Sequence, residues 1–468
     1  MVPQPCPLPR RLPRCLAAGF CLLLVLSGLW IGARIPPLLS PDEPAHLVRA
    51  YTLVSGEWLM HNPPARSSSA WLDPALARFL RLRRQFNRVL SGRAPGPPPP
   101  PAALARVDQG LLGGPGAVSV PAPGAAVYPP LAYLPQGLAL GLGQALGWPA
   151  ATAYGLARLL ALLASAAALY VAFCLTTPNP LQLALLTLPM SLFQLASASL
   201  DGFSTSLAVL AISLHQALPA AAPRARGGLQ LALVLVLLVL VPARLQLWPL
   251  LLLPLLLARV LRAAWAWWIS LSLVAAVGTW VVALSRLTVD LRRAGVSRDL
   301  LGTAGHFLLH PQALLAVLGR TLSSPDQLGY YGRTFIGVFG WLHQPLQPPQ
   351  AYGWMAALLL LALLLSLAWA RRQPRQLFSR QRLLLASLAL LASLSVFALL
   401  LLAWTPHPTQ ALLVEGVQGR YFLVPALVLA FAWAAPQPQL QRPGALLLTY
   451  GSGSVMLAVS TLLCLRAV

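Results

Sequence analysis

The chain has 468 residues, of which 57% are hydrophobic and 9% charged, with a mean hydropathy of +0.71. A soluble protein of this size needs more charge to cover its surface, so the composition indicates a polytopic membrane protein. The formal charge of +23 does not point to nucleic acid. The basic residues are all arginine and sit in short loops between apolar runs, not on a face interleaved with aromatics.

Arg10 to Ile35 reads as basic flank, apolar core and exit, long enough to cross ~30 Å of hydrocarbon. A cleaved signal peptide has the same grammar, with Gly32-Ala33 imitating a cleavage site; the many spans that follow favour an uncleaved helix. Further spans are expected at 151–175, 181–199, 203–219, 229–242, 247–258, 263–285, 352–370, 383–404, 421–435 and 444–466. The sequence therefore predicts an all-α membrane protein of about eleven transmembrane helices in one domain, 1–468. Pro242, Pro249 and Pro254 mark 229–242 and 247–258 as tilted or broken. The five cysteines form no CxxC pair, so no disulfide framework or zinc site is indicated.

The segment 131–147 sets the parity of everything after it. If it lies along the surface, Arg224, Arg226, Arg259, Arg262 and the arginines of 371–382 (Arg371, Arg372, Arg375, Arg380, Arg382) share the side of Arg10, Arg11 and Arg14. That satisfies the positive-inside rule. All ten acids then face out: Asp42, Glu43, Glu57, Asp73, Asp108, Asp201, Asp290, Asp299, Asp326 and Glu415. The N-terminus is expected inside, with outer segments 36–150, 286–350 and 405–420. The first holds "RFLRLRRQFNRVL" (78–90) and "PGPPPPP" (95–101), the latter an extended spacer.

Five stretches on the outer side carry chemistry. In "SPDEPAHLVRAYTLVSGEW" (40–58), Pro41 and Pro44 fit a first helical turn, and Asp42 and Glu43 fit its positive end. Asp42, His46 and Arg49 can share a face. A capped interfacial helix accounts for the same residues. Tyr128 and Tyr133 of "VYPPLAYLP" (127–135) read as interfacial anchors. "LPMSLFQLASASLDGFSTS" (188–206) places Asp201 at a tight outer turn, where a helix cap is the simpler reading. In "VPARLQLWP" (241–249), Arg244 either snorkels or suits a phosphate. In "GVQGRYFLVP" (416–425), Gly416 and Gly419 permit close backbone approach beside Arg420 and Tyr421, an arrangement that an anchor does not require.

Taken together, "PDEPAH" (41–46), "YPPLAYLP" (128–135), "ASASLDG" (196–202), "FIGVFGWL" (335–342) and "GVQGRYFLVP" (416–425) resemble a bacterial membrane family called domain of unknown function 2142. Its members are often found among cell-envelope polysaccharide genes. The family resembles the GT-C class of integral-membrane glycosyltransferases. That resemblance implies a GT-C-like fold with juxtamembrane helices in the first outer loop. It implies sugar transfer from a polyprenyl-phosphate donor to a glycan, lipid or protein acceptor, on the outer (periplasmic) face of a bacterial inner membrane.

By position, the resemblance makes Asp42 the general base, with Glu43 beside it and Asp201 as the second acid. Desolvation is expected to raise the pKa of Asp42. Arg244 and Arg420 would hold the donor phosphate, and His46, Tyr128, Trp341, Gln418 and Tyr421 would line the substrate groove. No cofactor is called for, although one divalent cation shared by Asp42 and Asp201 stays open. The chain departs from the class in having no large soluble domain after its last span and in the insert at 78–101. The alternative is a non-catalytic transporter or assembly subunit, which would use the same arginines without a base; the inverted repeat that would favour it is not seen.

Overall fold

The computed structural model describes residues 11–261, 265–291, 300–370, 379–433 and 443–467. Arg10, Arg262, Asp299, Arg371, Arg372 and Arg375, which entered the sidedness count, lie outside the described residues.

Among the described residues, eight helices are long and apolar enough to cross a membrane: Leu12–Arg34, Ala150–Leu175, Asp201–Ala220, Pro223–Ala243, Trp267–Leu287, Ala351–Ala368, Gln381–Ala403 and Pro443–Ala467. They are rich in leucine and alanine, which lose little freedom on becoming helical. Most are apolar on every side. Leu22, Leu26, Leu231, Leu235, Leu360, Leu364, Leu447 and Leu462 all project outward, as in helices solvated by lipid. Asp201–Ala220 is the innermost: 72% of its apolar window is buried, against 22% for Trp267–Leu287. It packs along Ala150–Leu175 and Pro223–Ala243, in a core that includes Phe20, Phe173, Phe193, Leu240 and Leu427.

Three expected spans are not continuous helices. The 181–199 stretch divides into Pro180–Leu186 and Pro189–Leu195. Asn179 and Gln182 form a capping box that starts the first half, and Pro189, which has no N–H to continue the ladder, starts the second. Around 247–258, a 3-10 stretch Leu245–Leu252 leads into Leu253–Leu261. The 421–435 stretch becomes Gly419–Phe422 followed by Leu423–Ala430. Backbone groups freed by such breaks need partners, because lipid offers none. Neighbouring side chains provide them. Asn179 Nδ2 donates to Ala430 O at 2.8 Å, Leu181 N–H donates to Ser366 Oγ at 2.9 Å, and Gln216 Nε2 donates to Phe431 O at 3.1 Å.

In place of a span at 131–147 there is a helix Leu134–Ala145 of 12 residues, about 18 Å long and too short to cross. It lies against the helix Glu43–Tyr51. A Cβ on Gly137 would stand 3.2 Å from Ala50 O and 2.7 Å from Leu53, so glycine permits the close approach.

The segment between the first two long helices is ordered around a second core that contains Leu47, Leu72, Leu76, Phe79, Tyr133, Leu140 and Tyr154. The arginine-rich insert is an amphipathic helix, Pro74–Leu90, capped by Asp73, which accepts from Ala75 N–H at 2.7 Å. Leu76, Phe79 and Leu80 face inward, and Arg83 pairs with Asp108 of the helix Pro101–Asp108. The all-α expectation needs a small correction: Ser69–Leu72 pairs antiparallel with Val118–Pro121, and Val338–Phe339 with Gln344–Pro345. Residues 300–336 and 405–422 pack with the end of Gln381–Ala403 around a third core of Phe307, Val317, Tyr331, Phe397, Leu401, Val414 and Val417.

Candidate functional site

Asp42 precedes the helix Glu43–Tyr51 with φ 62° and ψ −1°, a left-handed conformation, and its side chain makes no capping bond to that helix. A non-glycine residue held there costs free energy, on the order of 1 kcal/mol or more. The carboxylate instead reaches Arg420, 3.3 Å from Nη2. This removes the reading of Asp42 as a helix cap.

Arg420 is the hub. Its Nη1 donates to Asp201 Oδ2 at 2.9 Å and its Nε to Gln418 Oε1 at 2.7 Å. Its guanidinium carbon lies 5.3 Å from the centre of the Tyr421 ring. Asp201 gives its other oxygen to Arg244, and Arg244 Nε donates to Ser204 Oγ at 3.1 Å. Asp201 therefore serves two arginines instead of capping its own helix. Four chain segments contribute: the exit of the first span, the start of the innermost helix, the end of Pro223–Ala243, and the broken segment at 418–430.

The local sequence makes this junction possible. Pro242 helps end its helix one residue before Arg244. Gly419 faces the backbone of Tyr331 and Phe335 so closely that any Cβ would overlap both. Gly416, at φ +78°, would likewise meet Trp404. Gly419 brings Arg420 against the helix Pro325–Ile336, a close backbone approach of the kind the motif suggested.

The electrostatics differ from expectation in one respect. The Asp42 side chain is 68% open to solvent, while Arg420 beneath it is 3% exposed, which places the carboxylate on the floor of a recess. Burial there pushes its pKa up, but Arg420 and Arg244 pull it down by more, leaving it below the ordinary 3.8. The expected rise is overturned because desolvation is outweighed by neighbouring positive charge. Asp42 is thus ionised across the physiological range.

His46 is buried, with Nδ1 2.7 Å from the Tyr133 hydroxyl and its ring stacked on Tyr128 at 6.0 Å. Burial, reinforced by Arg244, holds its pKa down to about 3, so the imidazole is neutral. Arg49 turns away from Asp42 and donates to Tyr128 O at 2.8 Å and Trp58 O at 3.2 Å.

Asp42, Asp201, Arg244, Gln418, Arg420 and Tyr421 form one cluster, and His46 and Tyr128 stand in the wall behind Asp42. Glu43 is elsewhere. It is 1% exposed, and its Oε1 accepts from Ala198 N–H at 2.7 Å and Tyr154 OH at 3.0 Å. Its Oε2 accepts from Ser40 N–H at 3.3 Å. It ties the loop after the first long helix to the turn that carries Asp201. Trp341 also lies apart, donating to Leu38 O at 3.4 Å under the Arg93 guanidinium.

Sequence reasoning missed Ser204 and Tyr154, polar groups within apolar helices; Ser204 at least lies in a quoted motif. Between Asp42 and Asp201 sits a guanidinium, where a shared cation had been left open. Among the described residues, no group of three or more His, Cys, Asp or Glu is placed to hold a metal ion.

A family model described as a predicted membrane protein, DUF2142, matches residues 24–430. No curated protein and no solved structure matches the chain.

Proposed function

Because the chain belongs to the DUF2142 family of predicted membrane proteins and gathers two carboxylates and two arginines in one recess, we propose that it transfers a sugar from a polyprenyl-phosphate donor to an acceptor hydroxyl. We place the reaction at the outer face of a bacterial inner membrane. The observation that carries the reading is Asp42: strained, uncapped, open to solvent and facing the buried Arg420.

In this reading Asp42 accepts the acceptor hydroxyl's proton as the new bond to the anomeric carbon forms. The bond from that carbon to the phosphate oxygen breaks, and the charge left on the polyprenyl phosphate falls to Arg420 and Arg244. A guanidinium has five N–H donors. Arg420 uses three on Gln418, Asp201 and Asp42, and Arg244 uses two on Ser204 and Asp201. The remainder suit a phosphate.

A phosphate on Arg420 also competes with Asp42 for that guanidinium. Donor binding thereby weakens the contact that keeps Asp42 a poor base, so basicity rises once substrate is present. Glu43 acts as a positioning residue in this scheme. It holds the loop of Asp42 against the turn before Asp201.

The depressed pKa of Asp42 favours a second reading, a lipid-phosphate carrier or assembly subunit that needs no base. Purified protein incubated with polyprenyl-phosphate sugars and acceptor glycans separates the two. Transfer that falls about 100-fold or more in Asp42→Asn, with donor binding retained, is the expected result. Transfer undiminished in that variant would remove Asp42 as base, and donor binding without transfer in the wild type would support the carrier.

A further inference from the structure

The first outer segment assembles a second chemical group that the recess does not use. His61, bridged to Ser69, lies between Glu57 and Ser119. Its Nδ1 is 3.0 Å from Glu57 Oε1 and its Nε2 is 2.9 Å from Ser119 Oγ. The ring is stacked on Trp71, with centroids 4.6 Å apart and planes at 16°. The second oxygen of Glu57 accepts the Trp71 N–H at 2.9 Å, and Trp71 is the register partner of Ser119 across the two-stranded sheet. Base, orienting acid and hydroxyl are therefore held by one small framework.

A carboxylate on Nδ1 selects the tautomer with its proton there, which leaves the Nε2 lone pair facing the serine hydroxyl. That is the order of nucleophile, base and orienting group that activates a serine. The group is open enough to be reached: the side chains of His61 and Glu57 are 25% and 17% exposed, and Ser119 is half-buried. The preceding "GGPGA" (113–117) is exposed, and Gly114 and Gly116 face open space.

We propose that Ser119, His61 and Glu57 form a serine-nucleophile centre that cleaves or transfers a carboxylic ester. Ser119 Oγ bonds to the acyl carbon while its proton passes to His61 Nε2. The tetrahedral adduct collapses, the acyl–oxygen bond breaks, and the departing alkoxide takes the proton from His61. Water, or an acceptor hydroxyl, then attacks acyl-Ser119 with His61 as base and frees the serine. Glu57 holds the imidazole in orientation and offsets its transient charge.

This centre is independent of sugar transfer, and Arg49, which donates to both Trp58 O and Tyr128 O, lies between it and the recess. The test is covalent labelling of the full chain in detergent with a fluorophosphonate probe, with the modified peptide mapped by mass spectrometry. Expected is modification at Ser119 in the folded protein, at least about tenfold faster than in the heat-unfolded chain. In His61→Gln labelling slows roughly 100-fold, and in Ser119→Ala it is lost. Mapping in the wild type needs no variant to fold. Labelling no faster than in the unfolded chain, labelling at another serine, or a rate unchanged in His61→Gln would overturn the centre; a purely structural tie between the strands predicts the first and the last.

Discussion

Asp42 and Glu43 are adjacent carboxylates in different surroundings, and substitutions should separate them. Glu43 is sealed, and its three donors have no water to turn to. Glu43→Ala leaves them unpaired and should cost roughly 3–5 kcal/mol. Glu43→Gln keeps an acceptor for Ala198 and Tyr154 and gives up mainly the longer Ser40 contact, at about 1 kcal/mol. Thermal unfolding in detergent checks the order; equal losses would show that the carboxyl does not tie the loop.

His46 gives a pH prediction. Its folded pKa is about 3 against an ordinary 6.5, so between those values the unfolded chain binds a proton that the folded chain does not. The stabilisation is complete above pH 6.5 and is lost as pH falls toward 3. At pH 5 the wild type should have lost about 2 kcal/mol relative to His46→Gln, compared with pH 7.5. Parallel pH profiles for the two proteins would refute a neutral His46.

At the scale of elements, the breaks are where sequence and structure diverge most instructively. Continuous leucine-rich runs were legible because apolarity over about 20 residues has one common outcome. Leu134–Ala145 was legible from arginine counting. Pro249 and Pro254 announced one break, but at 181–199 and 421–435 the freed backbone groups are met from across the bundle, Leu181 N–H by Ser366 and the carbonyls of Ala430 and Phe431 by Asn179 and Gln216. No local pattern encodes such tertiary partners. The site behaved likewise: Asp42, Asp201, Arg244 and Arg420 could be named from sidedness and motif, whereas their pairing, and the fall in the pKa of Asp42, depend on distances. Gly419 is the element-level point of failure. Gly419→Ala drives a methyl into the backbone of Tyr331 and Phe335, and overpacking of this kind costs roughly 1–3 kcal/mol. It should lower the unfolding temperature and displace Arg420, weakening lipid-phosphate binding. Unchanged values for both would mean that the two segments part easily.

At the scale of the molecule, the cluster constrains how often the chain crosses. Asp42, Asp201, Arg244 and Arg420 touch, so their four segments end on one face of the membrane. Between Asp42 and Asp201 lies one continuous long helix, Ala150–Leu175. Returning to the same face needs an even number of crossings, so we propose that Pro180–Leu195 also crosses, as two half-helices. Two continuous helices separate Asp201 from Arg244, which is already even. Between Arg244 and Arg420 lie Trp267–Leu287, Ala351–Ala368 and Gln381–Ala403. Three is odd, so we propose that Leu245–Leu261 crosses as well. With Gly419–Ala430 counted too, the proposal is eleven crossings, eight of them by the continuous helices among the described residues. Single cysteines in a cysteine-free background, probed with an impermeant maleimide on intact cells, test this. Positions 96, 350 and 410 should react from outside, and position 224 should react only after permeabilisation. Reaction at 224 alongside 96 would break the parity and with it the placement of Arg244 and Arg420 at one outer recess.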